Sequence, residues 1–507
     1  MTDSIPLVSV VMPVYNSMPY LTATLESVLA QDVAGLEVIA VDDGSNDGSG
    51  EELDCFAARD DRLTVIHQPN SGWPGAPRNR GIERATGEFV FFMDSDDTLA
   101  PHALSAMVEM AQTRNAEVVI PRMQGVAGRG VQQLFQLHPH GPISIARAME
   151  TLSPQKLFRR DLIERDGLRF PEEHVRLEDG IFVTRAYVLA REIAFCGRKP
   201  LYFIALRDDG GNISAQGIDP ENYVSSCRRI ARILLDGVPD RKQADQLVLQ
   251  FFGRKGLRFY APKRWLRMDD ARKREWVELH RQFLEEFVPT EVEARTSHPT
   301  DLLKTRLIRA GDVAGLDRLI SAAAALEHDS RVSKLVPLSR AAELTVTITP
   351  AEPRPEGGSW LADARIADWR LRAADRLHRL LRPAMGSRLV RGASRRVADL
   401  VVSGAPRVQL LISGRKAGRR VSVPGRIASY DAAGALRYRF VLPEDLLQRF
   451  GKDRVDLWTV AEVDGLSGGS ARVSAGVVRK SGTKIAPGVE VYATTQGNAT
   501  IRRIARS

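Results

Sequence analysis

Three carboxylates within four positions, Asp94, Asp96 and Asp97 with Ser95 among them, directly follow the apolar run Phe89, Val90, Phe91, Phe92 and Met93. Such a run reads as a buried strand. Like charges gathered where a buried strand ends are costly to hold ionised unless a cation lies among them. Carboxylate oxygens at this density suit a divalent ion. The competing reading is an acidic helix start, in which Asp97 or Thr98 caps a helix beginning at Pro101. That accounts for one carboxylate well and for three poorly.

The elements that must position these residues alternate in character. Apolar runs at 7–14, 36–41, 63–67, 89–93 and 117–121 are separated by stretches of helical spacing at 21–30, 50–58, 77–85 and 101–112. Near-continuous apolar strands between short helices predict an α/β fold with a mostly parallel, Rossmann-like sheet covered on both faces. Ligands of such sheets collect at the carboxyl ends of the strands. Here those ends carry Tyr15 and Asn16, Asp42 and Asp43, the segment 67–70, and Asp94 to Asp97.

In that order along the chain, the segments VSVVMPVYN (8–16), VDDGS (41–45), PRNRG (77–81) and DSDD (94–97) resemble those of family 2 glycosyltransferases with the GT-A fold. The likeness covers roughly residues 7 to 215, and its specificity lies in the combination of four ordered signals.

The resemblance implies a nucleotide-sugar-binding domain and assigns roles to residues. Asp42 would take the uracil edge of a UDP-sugar with Tyr15 packed beside it, and Pro13, Asn70, Arg78 and Ser95 would complete the nucleotide-sugar site. Asp94 and Asp96 match the DXD motif, whose carboxylates share Mg2+ or Mn2+ with the diphosphate. Glu178 and Asp179 match the acidic pair beneath the acceptor: Asp179 is expected as general base, with Glu178 orienting or binding sugar. Adjacent residues on one short turn point apart, so at most one is the base. Arg207 and Ser214, in a Gly-rich loop, are candidate phosphate contacts. Each acidic pair has a structural alternative: Asp42 and Asp43 open a turn through side-chain to backbone bonds, and Glu178 and Asp179 begin a helix. Arg80, two positions beyond Arg78, is expected to be solvated.

At 507 residues the chain should hold more than one domain. The expected division is 1–220 for the GT-A domain, 221–340 for a helical linker on the acceptor side, 341–398 for a linker and basic helical segment, and 399–507 for a β-sandwich-like module. Helical spacing recurs at 223–235, 242–260, 271–287 and 306–325, and 344–348 reads as a strand. Beyond residue 399, short apolar runs punctuated by Gly, Ser, Pro and Asp predict the sandwich. This layout is similar to that of bacterial wall teichoic acid glycosyltransferases acting on poly(ribitol phosphate), which implies a homo-oligomer, trimer or dimer, built through the C-terminal region.

Charge divides unevenly. Residues 1–220 hold 20 Lys and Arg against 31 Asp and Glu, whereas the whole chain holds 72 against 63. The excess of cations beyond residue 220 suits an anionic polymer or lipid-linked acceptor, or peripheral contact between the basic segment 360–397 and anionic lipid. No aromatic stacking motif accompanies the charge, so nucleic acid is not expected. Neither a signal segment nor an apolar run of ~20 residues is visible, and Cys55, Cys196 and Cys227 lack metal-ligand spacing. The expected setting is cytoplasmic, at the inner face of the membrane. The function these features predict is inverting, metal-dependent transfer of GlcNAc or a hexose from a UDP-sugar to an anionic cell-surface polymer. The alternatives are a lipid-linked or capsular acceptor, or a non-catalytic nucleotide-sugar-binding scaffold.

Overall fold

The computed structural model describes residues 7–126, 129–132, 134–205, 217–296, 298–338, 341–350, 407–414, 420–430, 436–451, 454–463, 466–486 and 488–503. The chain divides into two compact units, Met1–Arg258 with Arg274–Arg295, and Phe259–Lys273 with Thr296–Ser507. No helix among the described residues is long and apolar enough to cross a membrane.

The first unit is built on an eight-stranded sheet, and from one edge its order is Leu63–His67, Leu36–Asp42, Val8–Val14, Phe89–Phe92, Leu157–Arg159, Val118–Pro121, Ile193–Cys196 and Gly141–Pro142. The first four strands pair in parallel, as their apolar runs predict. Leu157–Arg159 then enters antiparallel to both of its neighbours. Three residues give a strand too short for periodicity to reveal. Tight packing holds the covering helix Gly75–Arg84 to the sheet: a Cβ at Gly81 would lie 2.3 Å from Val11 Cγ1. Beneath the carboxyl end of Phe89–Phe92, Phe92 meets Phe158, Phe170 and Phe182 edge-on, and Phe170 stacks on Phe182 at 4.0 Å. This dry aromatic cluster fixes the floor under the acidic turn.

After the sheet come helices Pro220–Gly237 and Arg241–Lys255, opened by Asp219 and Asp240, whose side chains accept from Asn222 N and Lys242 N. The helix expected over 242–260 ends at Lys255 and resumes as a 3-10 turn, Leu257–Tyr260. Within 306–325 the expected single helix is two, Pro299–Arg309 and Val313–Ala324. Gly311 at φ +68 breaks the run, and Asp312 caps the second helix through Gly315 N.

Two antiparallel sheets in the second unit share one apolar core. One runs His328–Pro337, Ala341–Pro350, Leu436–Pro443, Arg426–Tyr430; the other runs Arg420–Pro424, Arg407–Gly414, Val455–Val463, Ala499–Arg503, Val489–Ala493, Thr483–Ala486. Val346, Tyr438 and Phe440 meet Leu410, Leu457 and Val491 in that core. The strands of 328–350 thus join a sandwich whose other strands lie beyond residue 406. The apolar run at 471–478, one of those beyond residue 399, forms a strand only over Ala471–Arg472, and Gly476 at φ +55 turns the chain further on. The basic segment 360–397 lies outside the described residues.

Candidate active site

In the first unit, a cavity of about 850 Å3 gathers Pro13, Tyr15, Asn70, Arg78, Asp94, Ser95, Asp96, Glu178 and Asp179 on its walls. Those residues come from three strand ends and the starts of two helices, Gly75–Arg84 and Glu178–Leu189. Arg207 and Ser214 lie outside the described residues.

Asp42 is placed elsewhere. Its Oδ1 accepts from Ser45 N at 3.0 Å and its Oδ2 faces His67 Nδ1 at 2.9 Å, beneath the helix Ser49–Ala57 and off the cavity wall. Burial works against ionisation there, but the bonds from Ser45 and His67 outweigh it and hold the carboxylate below its usual range. The residue on the cavity wall is Asp43. It accepts from Gln68 Nε2 at 2.7 Å, from Ser71 N at 3.0 Å and from Ser71 Oγ at 2.8 Å. Period-two alternation at the strand end sends neighbours to opposite sides, which the pair's identical chemistry conceals in the sequence. Gly44 at φ +75 lets Asn70 close over this turn, since a Cβ there would meet Asn70 N at 2.8 Å.

The acidic turn is held from behind. Thr24 Oγ1 donates to Ser95 O at 3.1 Å and to Asp97 O at 2.8 Å, while Ser95 Oγ lies 2.5 Å from Ser17 Oγ. Asp94 N donates to Tyr202 Oη at 3.2 Å. Contrary to the expectation of a helix cap, Asp97 accepts from Ala205 N at 2.8 Å, and helix Ala103–Arg114 starts from a left-handed His102 without a side-chain cap. Ligand oxygens of Asp94, Asp96 and Asp97 lie within 4.8 Å of one another. Burial, reinforced by Asp94 and Asp96, pushes Asp97 up to about 8. An all-carboxylate donor set under such mutual repulsion fits Mg2+ or Mn2+.

Arg78 sits between the acidic groups with only 4% of its surface exposed. Its Nη1 donates to Asp179 Oδ1 at 2.7 Å and lies 3.7 Å from Glu178 Oε1, and its Nη2 donates to Asp94 Oδ1 at 3.2 Å. Both members of the Glu178 and Asp179 pair therefore approach one guanidinium. They differ in access: the Asp179 side chain is 31% exposed and that of Glu178 8%. Burial, with the charge of Asp179 adding, pushes Glu178 up to about 8. Burial also raises Asp179, against Arg78 and Lys156. A solvated Arg80 pairs instead with Glu83 at 3.2 Å.

Several residues of the site carry no sequence signal. Gln155 Nε2 donates to Asp94 Oδ2 at 2.5 Å, so each oxygen of that carboxylate has a partner. Lys156 is wholly buried, donates to Ser153 O, and lies 6.0 Å from the Tyr187 ring centre. Burial lowers it to about 7. The cavity is also lined by Arg129, Arg176, Arg254, Lys255 and Arg258. Arg254 donates to the carbonyls of Met149 and Glu150, and burial beside Arg254 and Arg258 lowers Lys255 to about 8. Fold topology, not local spacing, brings these cations into one cavity with the carboxylates.

Residues 9–174 match the sequence family described as glycosyl transferase family 2, and residues 220–320 match the glycosyl transferase TarS linker domain. The family 2 glycosyl transferase likeness thus lies within the first unit, over the residues that line the cavity's strand ends. The poly(ribitol-phosphate) beta-N-acetylglucosaminyltransferase TarS of Staphylococcus aureus (strain MW2) is 33% identical over 250 residues, 48% of this chain and 44% of TarS. The chain thus spans less than half of that relative's length in the matched region. S. aureus TarS 1–349, solved in complex with UDP-GlcNAc, superimposes with TM-score 0.58 at 27% identity, covering 69% of this chain and 98% of that one. A longer TarS crystal structure covers 99% of this chain and 85% of its own, with TM-score 0.60 at 20% identity, a likeness of fold.

Proposed function

We propose that this chain transfers a sugar from a UDP-sugar to a hydroxyl of an anionic polymer such as poly(ribitol phosphate), inverting the anomeric centre. One observation carries the reading: Arg78 joins the strand-end carboxylate Asp94 to the helix-start carboxylate Asp179 inside a single cavity. The relatives' named substrates agree with it.

In this reading Asp43, Tyr15 and Asn70 receive the base and ribose. Asp94 and Asp96 hold the divalent ion, which when bound offsets charge on the departing diphosphate. Asp179 accepts the proton as the acceptor oxygen attacks the anomeric carbon; the bond from that carbon to the diphosphate oxygen breaks, and UDP leaves with the electron pair. Displacement in a single step needs no enzyme nucleophile. A raised Asp179 is the better base, because its affinity for the arriving proton is higher. Glu178, less accessible, holds Arg78 and the turn. The cations Arg129, Arg176, Arg254, Lys255 and Arg258 support an acceptor rich in phosphate.

The test is direct. The full chain is mixed with a panel of UDP-sugars and poly(ribitol phosphate), and UDP release and polymer mass are followed. Polymer-dependent UDP release with a mass gain of one sugar per UDP supports the proposal. Transfer only to a lipid-linked or neutral polysaccharide acceptor overturns the polymer assignment, and UDP binding without turnover makes the chain a scaffold.

A further inference from the structure

Asp179 is reached through a stretch of chain with no regular structure of its own. Residues 170–177 belong to no strand or helix, and the helix Glu178–Leu189 into which they lead starts from Leu177 without a side-chain cap. The local chain therefore does little to fix where Asp179 stands. Two asparagines from distant parts of the sequence hold the stretch instead, one from each side.

Asn79 follows Arg78 on helix Gly75–Arg84 and is 4% exposed. Its Oδ1 accepts from Phe170 N, and its Nδ2 donates to Phe170 O and to Glu172 Oε1, each at 2.9 Å. From the other side comes Asn222, in the first turn of Pro220–Gly237. Its Nδ2 donates to His174 O at 2.7 Å and its Oδ1 accepts from Arg176 N at 2.9 Å. Each amide thus meets one backbone carbonyl and one backbone N–H, as a neighbouring strand would. The stretch also lies tight against the start of Gly75–Arg84. A Cβ at Gly75 would fall 1.9 Å from Pro171 O, and the rings of Trp73 and His174 are centred 4.1 Å apart.

We propose that Asn79 and Asn222 are positioning residues, which hold residues 170–176 between two helices so that the Asp179 carboxylate stands at Arg78 and at the acceptor hydroxyl. The inference rests on the reading of Asp179 as base. Neither asparagine lines the cavity, so each acts through the backbone it holds. Because Asn79 and Arg78 are neighbours on one helix, the bond to Phe170 and the bond to Asp179 share a single support. The helix Pro220–Gly237, beyond the sheet, then belongs to the apparatus that aligns the base.

Turnover of the full chain is read as UDP release from UDP-GlcNAc with poly(ribitol phosphate). Asn222→Ala should lower kcat about 10- to 100-fold, as a misplacement of about 1 Å does, while the Kd for UDP stays within twofold. The deciding measurement is the double variant. In the Asp179→Asn background the same substitution should cost less than twofold, because no base is left to align. A residue that only stabilises the fold lowers kcat in both backgrounds, and equal losses overturn the proposal. So does parental kcat in Asn222→Ala while Asp179→Asn is impaired, a result that leaves the base assignment standing. Parental turnover by Asp179→Asn removes the base, and this proposal with it. Asn222→Gln guards against misfolding, since it keeps both amide ends one methylene further out. Its smaller loss of kcat should likewise vanish beside Asp179→Asn. Amide hydrogen exchange needs no substrate: the Arg176 N–H should exchange at least tenfold faster in Asn222→Ala, and unchanged exchange overturns the proposal.

Discussion

Arg78 Nη1 donates to Asp179 Oδ1 at 2.7 Å across 101 positions of sequence. The same guanidinium reaches Asp94, so the proposed base and the proposed metal carboxylate share one cation. Replacing Asp179 by Asn keeps the shape and the bond to Arg78 but removes the proton acceptor. Transfer by Asp179→Asn should fall about 10³-fold, within the range general bases supply. UDP-sugar affinity should stay within threefold by calorimetry. Near-parental turnover would remove Asp179 from the mechanism.

The same relationship predicts a stability effect. Arg78 is buried, and Arg78→Met would leave Asp94, Glu178 and Asp179 facing one another without it. Removing one partner of such a set costs about 3–5 kcal/mol, and the low end applies because Asp94 and Asp179 are each about a third exposed. Urea unfolding should show a loss of about 3 kcal/mol for Arg78→Met and less for Arg78→Lys, which keeps the charge but not the two-armed reach. Equal stability of parent and Arg78→Met would mean the carboxylates are protonated or otherwise neutralised.

Legibility in the sequence depends on the range of the interaction. The parallel strands at 7–14, 36–41 and 89–93 show as apolar runs because both faces of each are buried, the edge strand at 63–67 shows by its apolar residues although it is partly exposed, and the acidic turn shows because it adjoins one of the buried strands. Leu157–Arg159 is too short to show, although it brings Gln155 and Lys156 to the site. The choice between Asp42 and Asp43 rests on which face a strand end presents, and two identical neighbours do not record that. In the second unit, His328–Pro337 is hidden because a bulge between Val332 and Lys334 breaks its alternation.

The placement of Asp43, and not Asp42, on the cavity wall has a measurable consequence. Asp43 faces the cavity, so Asp43→Ala should raise the Kd for UDP by about 10- to 100-fold, the worth of a hydrogen bond to a charged group. Asp42→Asn should change it less than threefold while lowering thermal stability, because Asp42 serves Ser45 and His67. The reverse pattern would return base recognition to Asp42.

The acidic cluster predicts an ion-binding measurement independent of turnover. Mn2+ titrated into the chain with UDP present, and followed by its paramagnetic resonance signal, should bind at one site. Asp96→Ala should weaken that binding at least tenfold, since it removes one of three clustered carboxylates. Unaltered Mn2+ affinity would place the ion elsewhere.

His67 joins Asp42 and Asp54, and the directions in which these groups shift set a pH dependence. Hydrogen bonds to Asp42 and then Asp54 raise His67 above 6.5, while those from Ser45 and His67 hold Asp42 below 3.8. A raised histidine stabilises the fold fully below 6.5 and loses that contribution as pH rises through its folded value. A depressed carboxylate contributes above 3.8 and loses its contribution as pH falls through its own folded value. The pair therefore stabilises the first unit from about pH 4 to 6.5 and fades above that. His67 is half exposed, so the effect is small. Melting curves of parent and His67→Asn should differ by on the order of 1–2 °C at pH 5.5 and converge by pH 9. A difference that persists unchanged to pH 9 would show that His67 acts through packing and not through charge.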